Sequence, residues 1–146
     1  MTGIAATDLD DLYWLPNWTP REESDFEQRI LKVLERDEWI ISGNYTRFSD
    51  KHVRPQADLV IWLDMPLHTL LYRAVLRSLC RCWKKEPCCN GNYETLRRLF
   101  FSRYSIVVWI LSTYRRRRRR LAKRTDLVRI RSQKELENFL SKLKKD

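Results

Sequence analysis

Two short apolar runs constrain this chain most: Trp39-Ile40-Ile41-Ser42-Gly43-Asn44-Tyr45 and Ala57-Asp58-Leu59-Val60-Ile61-Trp62-Leu63-Asp64-Met65-Pro66, each ending in turn-forming or acidic residues. Continuous apolar runs of this length suit strands buried on both faces of a parallel sheet. Parallel strands need long crossovers, and the neighbouring segments have helical patterns. Before the first run, Thr19-Pro20-Arg21-Glu22 has the form of a capping box with proline at the first helical position, so a helix is expected to begin there. Phe26, Ile30, Val33 and Leu34 follow at helical spacing. After the second run, Leu67, Leu70, Leu71, Val75, Leu76 and Leu79 make an apolar stripe on another helix, while Arg73, Arg77 and Arg81 recur on a different face.

Beyond Glu86-Pro87 the helical pattern stops, and Cys88-Cys89-Asn90-Gly91-Asn92 has the composition of a mobile turn. A helix is expected over roughly Tyr93 to Tyr104 and another over about Ser105 to Lys123, although the β-branched Ile106-Val107-Val108 also suits a strand. Leu127-Val128-Arg129-Ile130-Arg131 alternates as a half-buried strand. Ser132 and Glu135 then cap a final helix carrying Leu136, Phe139, Leu140 and Leu143. The expected architecture is α/β: a three-layer parallel sheet flanked by helices, in one domain of residues 1–146 without internal repeats.

A formal charge of +10 directs the chain towards polyanions, and six consecutive arginines, Arg115 to Arg120, supply much of it. No basic amino-terminal segment leads into an apolar stretch, and Ile106 to Leu111 is far shorter than the ~20 residues that cross a bilayer. A soluble cytoplasmic protein with no membrane partner is expected. Cys80, Cys82, Cys88 and Cys89 lie too close together to frame a secreted disulfide fold, so reduced thiols are the simpler reading. Their spacing differs from paired Cys-x-x-Cys knuckles, and His52 and His68 stand apart from them, so no metal site is assigned.

Four segments carry a resemblance when read in order. They are Asp8-Leu9-Asp10-Asp11-Leu12-Tyr13-Trp14-Leu15-Pro16-Asn17-Trp18, the run from Trp39 to Tyr45, the run from Asn90 to Phe100, and Ser105 to Trp109 with the arginines that follow. Together they resemble the adenylate-kinase-like P-loop proteins often called DNA topology modulation or FlaR-related proteins. The resemblance implies a P-loop nucleoside kinase-like fold with a lid-like segment over residues 80–105, using ATP and Mg²⁺ on a nucleotide or other small phosphoryl acceptor. It makes Arg73 and Arg77 the catalytic arginines over base and phosphates, and Asp10, Trp14, Asn44, Tyr45 and Arg47 the acceptor-side residues. Asp64, Arg116 and Arg119 become the cofactor side, with Asp64 reaching Mg²⁺ directly or through water. Plainer roles stay open for each: a solvated helix face for the arginines, a turn cap for Asp64, core-edge packing for the aromatic residues.

One part is missing. No stretch reads Gly-x-x-x-x-Gly-Lys-Ser/Thr, and the chain's glycines are Gly3, Gly43 and Gly91. In the family that loop and its strand precede the segment near Asp8 and lie mid-sheet. With strands ~4.8 Å apart, losing the central one leaves the Trp39 and Leu59 strands each facing a gap of roughly 10 Å. The neighbours closing up, Met1 to Thr7 forming a substitute strand, or another chain could fill it. The expectation is therefore a truncated or degenerate kinase-like protein with weak or no activity. The alternatives are a basic nucleic-acid-binding protein using the arginine run without catalysis, and one half of a split kinase completed by a P-loop partner.

Overall fold

A computed structural model describes residues 3–102 and 105–143. The chain runs β1 (Ala6–Asp8), α1 (Leu9–Tyr13), β2 (Trp14–Leu15), β3 (Thr19–Pro20), α2 (Glu23–Leu34), β4 (Ile40–Ser42), α3 (Thr46–Phe48), β5 (Ile61–Leu63), α4 (Leu67–Lys84), β6 (Pro87–Cys88), β7 (Asn92–Tyr93), α5 (Leu96–Phe101), α6 (Ile106–Leu121), β8 (Val128–Ile130) and α7 (Gln133–Leu143). It is a mixed α/β chain with short parallel and antiparallel strand pairs. Two compact units result, one of Met1–Asp58 with Glu86–Tyr93, the other of Leu59–Lys85 with Glu94–Asp146.

In the first unit β1 and β4 pair in parallel, with Ala6 opposite Ile40 and Asp8 opposite Ser42. Asp8 then starts α1, its carboxylate accepting the Asp10 N–H at 3.0 Å. Gly43 follows β4 with φ +144°, where a Cβ would lie 2.7 Å from that of Leu9, so only glycine lets these two strand ends come so close. Leu9, Phe26 and Ile30 form the floor of the core with Phe48 and Val53, and Tyr13, Trp39, Ile41 and Tyr45 pack against it. The Phe26 ring meets Tyr13 and Phe48 edge-on, with centroids 5.2 and 5.0 Å away.

The helical stripe of Phe26, Ile30 and Val33 is buried as its spacing requires, but α2 starts later than expected. Thr19 and Pro20 form no capping box. They pair with Trp14 and Leu15 across a hairpin in which Asn17 and Trp18 take left-handed backbone angles, and α2 opens after Glu22. The Cys88 to Asn92 turn is likewise a tight hairpin between β6 and β7, with Cys89, Asn90 and Gly91 at positive φ.

In the second unit β5 and β8 pair in parallel, Ile61 opposite Val128 and Leu63 opposite Ile130. Met65, Ala74, Leu99, Ile110, Leu121 and Ile130 are its buried apolar residues among those described. Helix prevails over strand at Ile106-Val107-Val108, because Ser105 caps α6 by accepting the Val108 N–H at 3.3 Å. The final helix has its expected cap. Ser132 accepts the Glu135 N–H at 3.1 Å, and the Glu135 carboxylate reaches back to the Arg131 N–H at 2.6 Å. The helix expected over roughly Tyr93 to Tyr104 is α5, Leu96–Phe101, and residues 103 and 104 lie outside the described residues.

On α4 the expected stripe faces differently. The helix buries the small residues Ala74 and Ser78, and leaves Leu76 and Leu79 exposed. α5 and α6 pack closely against α4, and small side chains permit that approach where leucines would hold the helices apart.

Among the described residues the two parallel pairs are separate ladders: β4 bonds only to β1, and β5 only to β8. Ile61 and Leu63, on one face of β5, and Leu59 two residues before it are all exposed.

Candidate functional site

In the second unit the chemistry gathers where β5 ends. Asp64 donates its N–H to the Ile130 carbonyl at 2.8 Å, which extends the ladder by one bond and turns its side chain inward, where only 2% of it is exposed. The Nε of Arg118 lies 2.9 Å from Oδ1, and the Nε of Arg129 donates to Oδ2 at 2.8 Å. Arg129 stands opposite Trp62 in the ladder, and its guanidinium lies 4.6 Å from that ring's centroid. Tyr114, one turn before Arg118, donates its hydroxyl to the Met65 carbonyl at 3.4 Å.

The inward face of α6 is therefore Ile110, Tyr114, Arg118 and Leu121. This sorts the six arginines. Arg118 is committed to Asp64, and Arg117 lies against the Trp109 ring, 4.7 Å from its centroid, where burial and then the nearby Arg120 hold its pKa below the ordinary value. Arg115, Arg116, Arg119 and Arg120 point to solvent. Arg77 is exposed on α4, and Arg73 donates to Gln133 at 3.0 Å. The exposed guanidinium groups of Arg77, Arg116 and Arg119 can each fork onto a phosphate.

Asp64 has no oxygen free of a guanidinium partner for direct coordination of Mg²⁺, which needs a carboxylate oxygen it can approach to about 2.0–2.1 Å. Its geometry is that of an anchor for α6 and β8.

The first unit brings together three of the five residues expected on the acceptor side. Tyr45 donates its hydroxyl to Asp10 at 2.7 Å, and burial, then this carboxylate, raise the phenol well above its ordinary pKa, so it acts as a neutral donor. Tyr13 lies between, its ring 4.8 Å from Tyr45 and 5.0 Å from Trp14. Trp14 meets Trp18 edge-on at 5.6 Å. Of the other two, exposed Asn44 accepts the Thr46 N–H at 3.0 Å with its backbone carbonyl, and Arg47 pairs with Glu23 at 2.7 Å on the surface.

Two residues that sequence reasoning passed over hold these clusters in place. Asn92, buried in the β6–β7 hairpin, accepts the Trp18 N–H at 2.7 Å and donates to the Leu15 carbonyl at 2.9 Å. Its place after Asn90-Gly91 was a turn signal, but nothing local marked it as a clamp. Arg129 looked like the outward residue of an alternating strand.

Cys80 and Cys82 belong to the second unit and Cys88 and Cys89 to the first, and among the described residues no group of three His, Cys, Asp or Glu side chains could hold a metal. Burial, and then neighbouring Cys88, push the Cys89 thiol up to about 12. At pH 8 its thiolate is then scarce, about one in 10⁴. Iodoacetamide should label exposed Cys80 at least about tenfold faster than Cys89, read by peptide mass spectrometry; equal rates would show that Cys89 is not shielded.

Charge is divided unevenly. The second unit holds twenty-two of the 29 Lys and Arg residues against six of the 19 acidic ones, and the first holds seven against thirteen. No described helix is long and apolar enough to cross a membrane. No family model, curated protein or solved structure matches the chain.

Proposed function

We propose that this chain has an adenylate-kinase-like, P-loop-class fold without the phosphate loop, holding nucleotide phosphates through arginines of α4 and α6 and transferring phosphoryl groups very weakly or not at all by itself. The observation that carries this reading is the pair of parallel ladders, β1–β4 and β5–β8, with the arginine helix α6 anchored by Asp64 at the carboxyl end of β5. α/β sheets bind ligands beyond the carboxyl ends of their strands, and Asp64 follows that end of β5.

Each residue then has a role. Arg77, Arg116 and Arg119 contact phosphate oxygens and offset their charge, and Arg73 does so once released from Gln133. Asp64 and Arg129 are positioning residues that set the rotation of α6. Asp10, Trp14 and Tyr45 form the acceptor-side wall, with aromatic surface for a base and a carboxylate, that of Asp10, held in place by the Tyr45 hydroxyl. Backbone amides and a loop lysine normally cradle the transferred phosphate, and their absence from this sequence is why turnover is weak. A P-loop segment supplied by a partner chain would restore that cradle.

The uneven charge favours a second reading, nucleic-acid binding through the basic unit without chemistry. A fluorescent ATP analogue and a labelled oligonucleotide separate the two. The kinase-like reading expects ATP to displace the analogue, and the double variant Arg116→Ala, Arg119→Ala to weaken it by about tenfold. Failure of ATP to compete, with oligonucleotide binding that falls steeply with salt, would overturn it in favour of the second. Robust turnover by this chain with ATP, Mg²⁺ and a nucleotide panel would refute the expected inactivity.

A further inference from the structure

Helix α4 is apolar on a face that is exposed among the described residues. Its inward side buries Ala74 and Ser78, and Arg81 beside them pairs with Glu94 at 3.2 Å. The opposite side carries Tyr72, Leu76, Leu79 and Trp83, exposed by 68, 46, 40 and 90%. Their spacing of four, three and four residues is that of a coiled-coil seam, a ridge wide enough for one helix. Exposed Arg73, Arg77 and Lys84 line one edge of it, and no Asp or Glu occurs from Leu67 to Lys84.

From this face we infer that α4 is a docking surface for an acidic amphipathic helix of a partner protein. Apolar residues of the partner pack between Tyr72, Leu76, Leu79 and Trp83, and its carboxylates pair with Arg73, Arg77 and Lys84. Tyrosine, tryptophan and arginine are the residues that most often dominate such interfaces. Charge selects the occupant. A second copy of α4 would bring another basic edge with no acid to offset it. A bilayer surface suits a broader apolar arc than this four-residue ridge, since membrane-surface helices bury a whole face. The inference stands on α4 alone and does not depend on nucleotide binding.

The test uses the whole chain and three labelled synthetic peptides of about 20 residues, followed by fluorescence anisotropy. One has leucines at alternating three- and four-residue spacing flanked by glutamates, the second has lysines in place of the glutamates, and the third scrambles the first. The acidic seam peptide should bind at least about tenfold more tightly than either control. Trp83→Ala with Leu76→Ser should abolish that advantage, and Arg77→Glu with Lys84→Glu should reverse the charge preference. The unmodified chain with three peptides is decisive by itself, and circular dichroism checks that the variants fold. Equal binding of the acidic and basic peptides, or no preference over the scrambled one, would overturn the inference. So would anionic phosphatidylserine vesicles or self-association, measured by sedimentation, engaging Trp83 while the acidic peptide fails to bind.

Discussion

Alanine at both Arg118 and Arg129 is expected to lower the unfolding free energy by about 3–5 kcal/mol, the scale on which breaking a buried ion pair from one side destabilises a protein. The loss falls on Asp64, whose side chain is 2% exposed and is then left with a charge and no cation. The reverse deletion should cost less. With Asp64→Asn the two guanidinium groups, 47 and 28% exposed, can turn to water, and about 1–2 kcal/mol is the expected loss. Urea titrations of the single, double and triple variants form the cycle, and Asp64→Leu on the double-alanine background should recover part of the loss. If the double variant costs under about 1 kcal/mol, Asp64 is not the anchor described here.

Phe26→Ala should be comparably severe, at about 3–5 kcal/mol, because it empties the centre of the first unit's core. Phe26 is fully buried, and its ring meets three others, those of Tyr13, Tyr45 and Phe48. Total domain stability is typically ~5–15 kcal/mol, so this one change takes a large share of it. Phe26→Leu keeps most of the volume and should cost about 1–2 kcal/mol, losing chiefly the aromatic contacts. Denaturant midpoints with unchanged slopes would establish the order, and near-equal losses for alanine and leucine would show that the ring fills no confined space.

Phe26 was also among the most legible residues. Its helical spacing with Ile30 and Val33 gives one apolar face, and a single face leaves no choice about which side turns inward. On α4 the same rule misled, because apolar residues lie on more than one side. Periodicity reports that a face is apolar without reporting what covers it, and Ala74 and Ser78 carry no hydrophobic signal although their small size fits them to the contact. Thr19 and Pro20 read as a helix start because a capping box is a local pattern. The left-handed Asn17 and Trp18 turn them back into a hairpin instead.

Of the candidate site, residue types were legible and pairings were not. Tyr45 and Asp10 are 35 residues apart, and Arg129 and Asp64 are 65 apart. Arg118 had the additional difficulty of five identical neighbours. Only the rotation of α6, set by buried Ile110 and Leu121 together with Asp64, separates it from Arg116 and Arg119.

The bare face of β5 has a consequence for handling. Leu59 to Leu63 is an unbroken stretch of five uncharged, sheet-loving side chains, and Asp58 and Asp64 at its ends are its nearest charges along the sequence. Such stretches recruit copies of themselves, and flanking charges are the usual brake. One of those two brakes is already neutralised by arginines. Shelf life in concentrated preparations therefore depends on Asp58 and on whatever ribbon occupies that rim.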